Sequence, residues 1–319
     1  MQRLPAVFPI LFFDQKGEKM VRKMRLLTCL TVFIHCSLFC KIVGLVRVRN
    51  QAQTIEQHLK ALACYTDALV VLNNASGDKT VDIVKSLQNE CNIEKILHKS
   101  FWYQDDAVDY NRMLFAGRQI GGTHFIVLNS DELFTANCQE KNLLKTKIQS
   151  LEPGDQLTVN KIRLWNSTDR YRIDGGYVIK SVAFCDDGLA QFQANSQIPE
   201  NLLGKKIKLL PFHRYGVLSF AKVNWTNLQL KTIWNKCFER ITHPDKQASE
   251  LNEKYKETTV KNRNIRIMKA PHYWFDSYQF FDKTLYEKRS DWHESKIKSW
   301  VHQYGQNYFD DLGFALCTG

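Results

Sequence analysis

The chain has 319 residues, long enough for one large domain with a substantial core, and its 44% hydrophobic and 24% charged content is that of an ordinary globular protein. Its net charge is +11, and the first 50 residues, with nine Lys/Arg against two Asp/Glu, hold +7 of it. Charge gathered at one end, with no zinc-finger spacing and no Arg/Lys-rich helix, excludes a nucleic-acid groove as the main surface.

In chain order, Lys16, Lys19, Arg22, Lys23 and Arg25 precede Leu26–Cys40, a 15-residue apolar run whose one strongly polar member is His35. A cationic flank before an apolar run reads as a signal, a membrane anchor or a helix on the membrane surface. The run is shorter than the about 20 residues of a spanning helix. A buried helix, or a start of translation at Met20 or Met24, are the other readings. Nine scattered cysteines without a Cys-x-x-Cys pair fit reduced thiols in a cytosolic compartment.

From residue 41 the pattern alternates. Residues 42–48 form a strand, and Thr54 opens a helix with Gln57 completing a Thr-x-x-Gln capping box. Ile55, Leu59, Leu62 and Ala63 share its inner face. Residues 68–72 are a strand, 80–88 a helix, 93–97 a strand, 106–119 a helix and 125–128 a strand. This alternation implies right-handed crossovers and a parallel sheet. Beyond the turn at Glu152-Pro-Gly-Asp155, residues 157–164 and 177–184 read as an antiparallel addition of strands. A helical stripe (Leu230, Trp234, Cys237, Phe238, Ile241) stops before Pro244. Residues 245–265 are charged, and 13 aromatics lie between Pro271 and Gly319, as a packed helical subdomain or a platform for sugar rings. The expected division is 1–40, 41–241 and 242–319.

Two apolar runs end abruptly in turn-forming and cation-binding side chains: Val70-Val71-Leu72 in Asn73-Asn74-Ala75-Ser76-Gly77-Asp78-Lys79-Thr80, and 125–128 in Asn129-Ser130-Asp131-Glu132. Ligands of open α/β sheets bind beyond the carboxyl ends of strands, so chemistry is expected there. With Val46-Arg47-Val48-Arg49-Asn50-Gln51 before them, these segments match in order the three motifs of the family 2 glycosyltransferases of the GT-A fold, which the chain resembles over 41–134 and more loosely over 157–312. Asn stands at 73, 74 and 129 where that family carries Asp.

The resemblance implies a GT-A-like α/β fold: a mostly parallel sheet flanked by helices, a small antiparallel addition and a helical C-terminal extension. It implies transfer of a sugar from a nucleotide-diphosphate-sugar donor to a hydroxyl of a glycan, lipid or protein, with inversion, using Mg2+ or Mn2+. Arg47, Arg49, Asn50, Asn73, Asn74, Asp78 and Asn129 then bind the donor, and the two arginines offset missing metal charge. Asp131 matches the last acid of Asp-x-Asp and holds the cation with Glu132 behind it, and His213 is a further ligand candidate. Asp174 and Asp187 are the candidate bases, each equally readable as a turn residue.

Three Asn-x-Ser/Thr sequons occur, at Asn74, Asn166 and Asn224. A glycan at Asn74 would block the donor loop, which favours a catalytic domain in the cytoplasm, free or membrane-associated. The missing carboxylates favour a different class, a non-catalytic GT-A-like protein that binds a glycan or partner. A nucleotidyltransferase ranks lower, because residues 41–53 lack a Gly-rich, Lys-containing phosphate loop.

Overall fold

The computed structural model describes residues 40–314 apart from Gln104, Gly175, Asn195 and 257–264. The signal or anchor reading of 1–40 therefore falls outside the described residues. Among those described, no helix is long and apolar enough to cross a membrane.

The strands β1 (Ile42–Val48), β2 (Ala68–Asn73), β3 (Ile93–His98) and β4 (His124–Val127) run parallel. Ile42, Val43, Leu45, Val46 and Leu69 to Leu72 expose nothing. Near-continuous apolar strands of this kind need cover on both faces. The crossovers α1 (Ile55–Ala63), α2 (Thr80–Ser86) and α3 (Asp106–Gln119) supply it. Tyr110, Met113 and Leu114 of α3 join Val43, Leu45, Val70 and Phe125 in the main core. Helix α1 approaches β1 at Gly44, where a Cβ would strike the side chains of Leu62 and Leu69. Register runs from Val43↔Ala68 to Val48↔Asn73, and from Ile42↔His124 to Leu45↔Val127, so the carboxyl ends of β1, β2 and β4 emerge at one edge.

The chain continues through β5 (Glu132–Phe134), α4 (Leu143–Gln149), β6 (Gln156–Arg163), β7 (Arg170–Arg172), β8 (Ile179–Cys185), β9 (Lys206–Lys208) and β10 (Gly216–Ser219). The main sheet has the order β3-β2-β1-β4-β8-β6-β10-β5, with β9 beside β6. Strand β8 is antiparallel to β4 and β6, so β6 and β10 again point their carboxyl ends to the edge of β1 and β4. The expected α/β architecture is what the chain adopts, and the antiparallel pairing of β6 with β8 is as read from the sequence.

The remaining elements are α5 (Trp225–Thr242), α6 (Ala248–Lys254), β11 (Ile267–Lys269), α7 (Thr284–Glu287) and α8 (Trp292–Tyr304). Strand β11 pairs with β7 in a second, two-stranded sheet. Trp234, Cys237, Leu251, Ile297, Trp300 and Phe309 form a second core. The C-terminal aromatics are therefore largely packing: Trp274, Tyr278 and Phe309 expose 4% or less. From Lys41 onward the described residues make one compact unit. Tyr278 Oη seals it at 2.9 Å from Tyr65 Oη, and it donates to the Phe134 carbonyl at 3.1 Å.

The expected capping box is not formed. Thr54 makes no side-chain cap bond. Instead Gln57 Nε2 donates to the Asp282 carbonyl at 3.1 Å while its Oε1 accepts from the Asp282 amide. The Thr54 amide that the box would use donates instead to the Gln51 carbonyl at 3.0 Å.

Candidate functional site

The loops after β1 and β2 are tied to each other. The Asn50 amide donates to Ser76 Oγ at 3.1 Å, and Asn50 Oδ1 accepts from the Gly77 amide at 2.8 Å. Asp78 Oδ2 accepts from the Ala52 amide at 3.1 Å, and its Oδ1 from the Thr80 amide at 3.0 Å. Asn73 Oδ1 accepts from the Ser76 amide at 3.0 Å. The side chains of Asn50, Asn73 and Asp78 thus shape the loops from within. Asn74 differs: it is 6% exposed, and its Oδ1 is sealed without a hydrogen-bond partner among the described residues. A buried acceptor left open is a place for an incoming donor group.

At the end of β4, the Asp131 backbone carbonyl accepts from the Phe220 amide at 2.9 Å, while its carboxylate is left without a bond among the described residues. Asn129 Oδ1 accepts from Gln197 Nε2 at 3.1 Å. Glu132 is fully buried and faces two lysines: Lys161 Nζ lies 2.9 Å from Oε1, and Lys180 Nζ hydrogen-bonds Oε2. Burial pushes the Glu132 carboxyl up, but the two ammonium groups outweigh it and hold the acid below its ordinary range. Burial pulls Lys180 towards neutrality; two cations against one anion keep Glu132 charged.

The two arginines of β1 part company. Arg47 hydrogen-bonds Asp106 and lies 3.5 Å from Asp109. Burial pulls its guanidinium down, yet the bond to Asp106 and the charges around it raise it on balance. Arg49 meets no acid among the described residues; burial pulls it down to about 10. Its guanidinium carbon sits 4.1 Å from the ring centre of Trp102, with Trp292 and Trp234 at 5.4 and 5.5 Å.

Two cavities open at this edge. One, of about 670 Å³, follows β3 and is lined by Trp102, Tyr103, Asp105 and Asp106 with Phe238 and Glu239 opposite. The loop carrying those tyrosine and tryptophan rings is held to the end of β2, since the Lys99 amide donates to the Asn73 carbonyl at 3.0 Å. The other, about 350 Å³, lies over β6 and is lined by Lys161, Arg163, Tyr177 and His213. Strand β4, leading to Asp131, stands between the strands that flank them. Both volumes are in the range of ligand pockets.

Asp174 reaches this edge, because its carbonyl accepts from Arg163 Nη2 at 2.8 Å at the end of β6. Its carboxylate is gripped by both ends of the Arg172 guanidinium, and that bond pulls its pKa down to about 2. Asp187 is not brought to the site. It follows β8, whose Cys185 pairs with His124 at the start of β4, and the neighbouring Asp186 amide donates to the Thr123 carbonyl at 2.9 Å. Strand direction therefore puts Asp187 at the opposite edge, where its Oδ1 accepts from the Leu189 amide at 2.9 Å.

Lys161, Lys180, Trp102, Trp292 and His293 were not singled out from the sequence, and Trp234 was read there only as part of a packing stripe. A lysine inside a strand run, as in Val159-Asn160-Lys161-Ile162, is a usable signal, since a charge there needs a partner. Among the described residues no three His, Cys, Asp or Glu side chains gather as metal ligands. Among the described residues the Asp131 carboxylate accepts no hydrogen bond, although its charge acts on His58 and Lys180. That suits a hard cation which takes one carboxylate and fills its shell with phosphate oxygens and water.

No protein-family model matches the sequence, and no curated protein is detectably similar to it. Among solved structures, TarS of S. aureus is 14% identical over 69% of this chain and 43% of that one, with a TM-score of 0.37. Mannosyltransferase PcManGT of Pyrobaculum calidifontis, solved with GDP-Man and Mn2+, is 19% identical over 39% of this chain and 35% of that one, TM-score 0.31. Glucosyl-3-phosphoglycerate synthase of Mycobacterium tuberculosis, solved with phosphoglyceric acid, is 15% identical over 40% of this chain and 46% of that one, TM-score 0.29. This chain spans less than half the length of each, and likenesses of this size assign it to no family.

Proposed function

We propose that the chain is a GT-A-like glycosyltransferase that moves a sugar from a nucleotide-diphosphate-sugar donor to a hydroxyl acceptor. The observation that carries the reading is the succession along one edge: an aromatic cavity of about 670 Å³ after β3, the uncompensated Arg49 after β1, the unbonded Asp131 after β4, and a basic cavity of about 350 Å³ over β6. Transfer needs a seat for the nucleoside, charge to offset the leaving diphosphate, and an acceptor seat beyond it, in that order.

In this reading Trp102 and Tyr103 face the base, while Asn74 and Arg49 bind the ribose and phosphates. Mg2+ or Mn2+ held by Asp131 would supply further positive charge against the diphosphate. Lys161 and His213 line the acceptor cavity. Asp174 is the acceptor-side carboxylate, and Arg172 keeps it ionised, hence open to a proton, at any pH well above 2. The same clamp weakens it as a base, so proton transfer is late.

The test is a thermal-shift screen of nucleotide sugars with Mn2+ and with chelator, followed by a transfer or hydrolysis assay. A stabilising donor raises Tm by mass action. Asp174→Asn should keep that shift and lower turnover about 10²–10⁴-fold. Wild type that no nucleotide sugar stabilises would overturn the reading. A non-catalytic binding protein is the second reading, favoured by the inward use of Asn73 and the neutralisation of Glu132. Donor binding without turnover would establish it.

A further inference from the structure

Arg49 is one of three groups in a single aromatic cluster that carry a buried nitrogen without a partner. Its Nε, Trp234 Nε1 and His293 Nδ1 are all sealed from solvent and unbonded among the described residues. Trp234 is 7% exposed and His293 9%. The cluster is continuous: the Arg49 guanidinium lies against Trp234 and Trp292, His293 stacks on Trp292 at 3.6 Å, and its ring centre is 5.9 Å from that of Trp234. Buried polar nitrogens without a partner are rare in folded proteins, and each calls for an explanation; the imidazole meets an anion through Nδ1 in the tautomer that carries its proton there.

The charge around them has one sign. Arg47, two positions earlier, spends its charge on Asp106 and Asp109, but no acid among the described residues answers Arg49. Burial, then repulsion from Lys231 and Arg49, drives the His293 imidazole down to about 3. An always-charged guanidinium stacked on tryptophan, with indole and imidazole nitrogens in the same cluster, is chemistry for a phosphate oxygen. Partial exposure of Arg49 at the carboxyl edge gives such an anion a way in.

We propose that Arg49, Trp234 and His293 form an anion site that takes a phosphoryl group of the donor's diphosphate, so that the C-terminal helices α5 and α8 complete the donor site begun by β1. This rests on the transferase reading for the identity of the ligand, while the anion site itself rests on the cluster alone. Asn50 and Asp78, being turned inward, leave phosphate binding to Arg49 and its aromatic neighbours.

The full chain, in chelator, is titrated with sodium pyrophosphate against sodium chloride at matched ionic strength, and tryptophan emission is followed. Wild type should give a saturable change, and Arg49→Met and His293→Phe should each weaken it at least tenfold. If one variant fails to fold, the other decides. No saturable change in wild type, or a change that survives both substitutions, overturns the anion site. UDP, GDP, ADP and CDP are then used as competitors. A tenfold or larger gain for one of them over pyrophosphate supports the donor assignment. If none displaces pyrophosphate, the donor assignment and the transferase reading fall together while the anion site stands.

Discussion

The buried carboxylate of Glu132 lies 2.9 Å from the ammonium of Lys161, and on its other side it hydrogen-bonds Lys180. One acid from β5 thereby pins β6 and β8 beside the loop of Asp131. Removing it strands two lysines, of which Lys180 has a side chain only 10% exposed. Glu132→Gln should lower the unfolding free energy by about 3–5 kcal/mol, read from urea denaturation at neutral pH. Because its folded pKa is depressed, its contribution is present above the ordinary carboxylate value and is lost as pH falls below it. Wild type should therefore lose stability below about pH 4.5, and Glu132→Gln should lose less there.

A second buried pair anchors the loop after β3. Lys99 Nζ lies 2.9 Å from Asp109 Oδ1, with side-chain exposures of 2% and 0%. Asp109→Asn leaves the ammonium unpaired and should destabilise by about 3–5 kcal/mol, whereas Lys99→Met with Asp109→Leu should recover most of the loss. The double-mutant cycle from urea midpoints gives the coupling; additive effects would show that the pair does not act as one.

Buried neutral histidines set a limit in mild acid. Burial pushes His58 down to about 4 against its bond to the Glu132 carbonyl, and His293 down to about 3. An unfolded chain protonates histidine near pH 6.5. Below that pH the unfolded state binds more protons than the folded one, so stability falls as pH drops. The slope should approach about 1.4 kcal/mol per pH unit for each histidine well below 6.5. Urea midpoints at pH 7.5 and 5 check this, and equal midpoints would contradict it.

Gly216 opens β10 where its Cβ would sit inside contact distance of the Asn160 carbonyl oxygen and 3.0 Å from Ile162 Cδ1. Asn160 is its register partner in β6, so the backbone there has no room to yield. Gly216→Ala should cost about 1–3 kcal/mol. Gly77, with nothing within 4 Å of a built Cβ, is the control, and its Ala variant should stay within about 0.5 kcal/mol by chemical denaturation.

Hydrophobic period identified β1 to β4 and α1 to α3 within a residue or two, because strands buried on both faces and helices with one apolar stripe leave strong local patterns. Three-residue strands such as β5, β7, β9 and β11 leave none. Strands 157–164 and 177–184 were legible as an antiparallel pair, but period does not say which strand β8 pairs with on its other side, and its antiparallel pairing with β4 is what sends Asp187 to the far edge while Asp174 stays near. The polar loops were legible as loops. That Asn50, Asn73 and Asp78 would spend themselves on the backbone amides of the two loops was not, since each bond joins residues on either side of α1 or within a turn whose shape the bond itself creates. Likewise Arg49 reads as an arginine beside an asparagine until Trp102, Trp234 and Trp292 arrive from three distant parts of the chain.

The bond pair between Gln57 and Asp282 spans 225 positions. A ribosome adding about 5–20 residues per second needs roughly 10–45 s to get from one to the other. Until Asp282 has been made, Gln57 lacks the partner that ties α1 to the C-terminal segment, and a chain cut short before Asp282 lacks that tie across its first crossover.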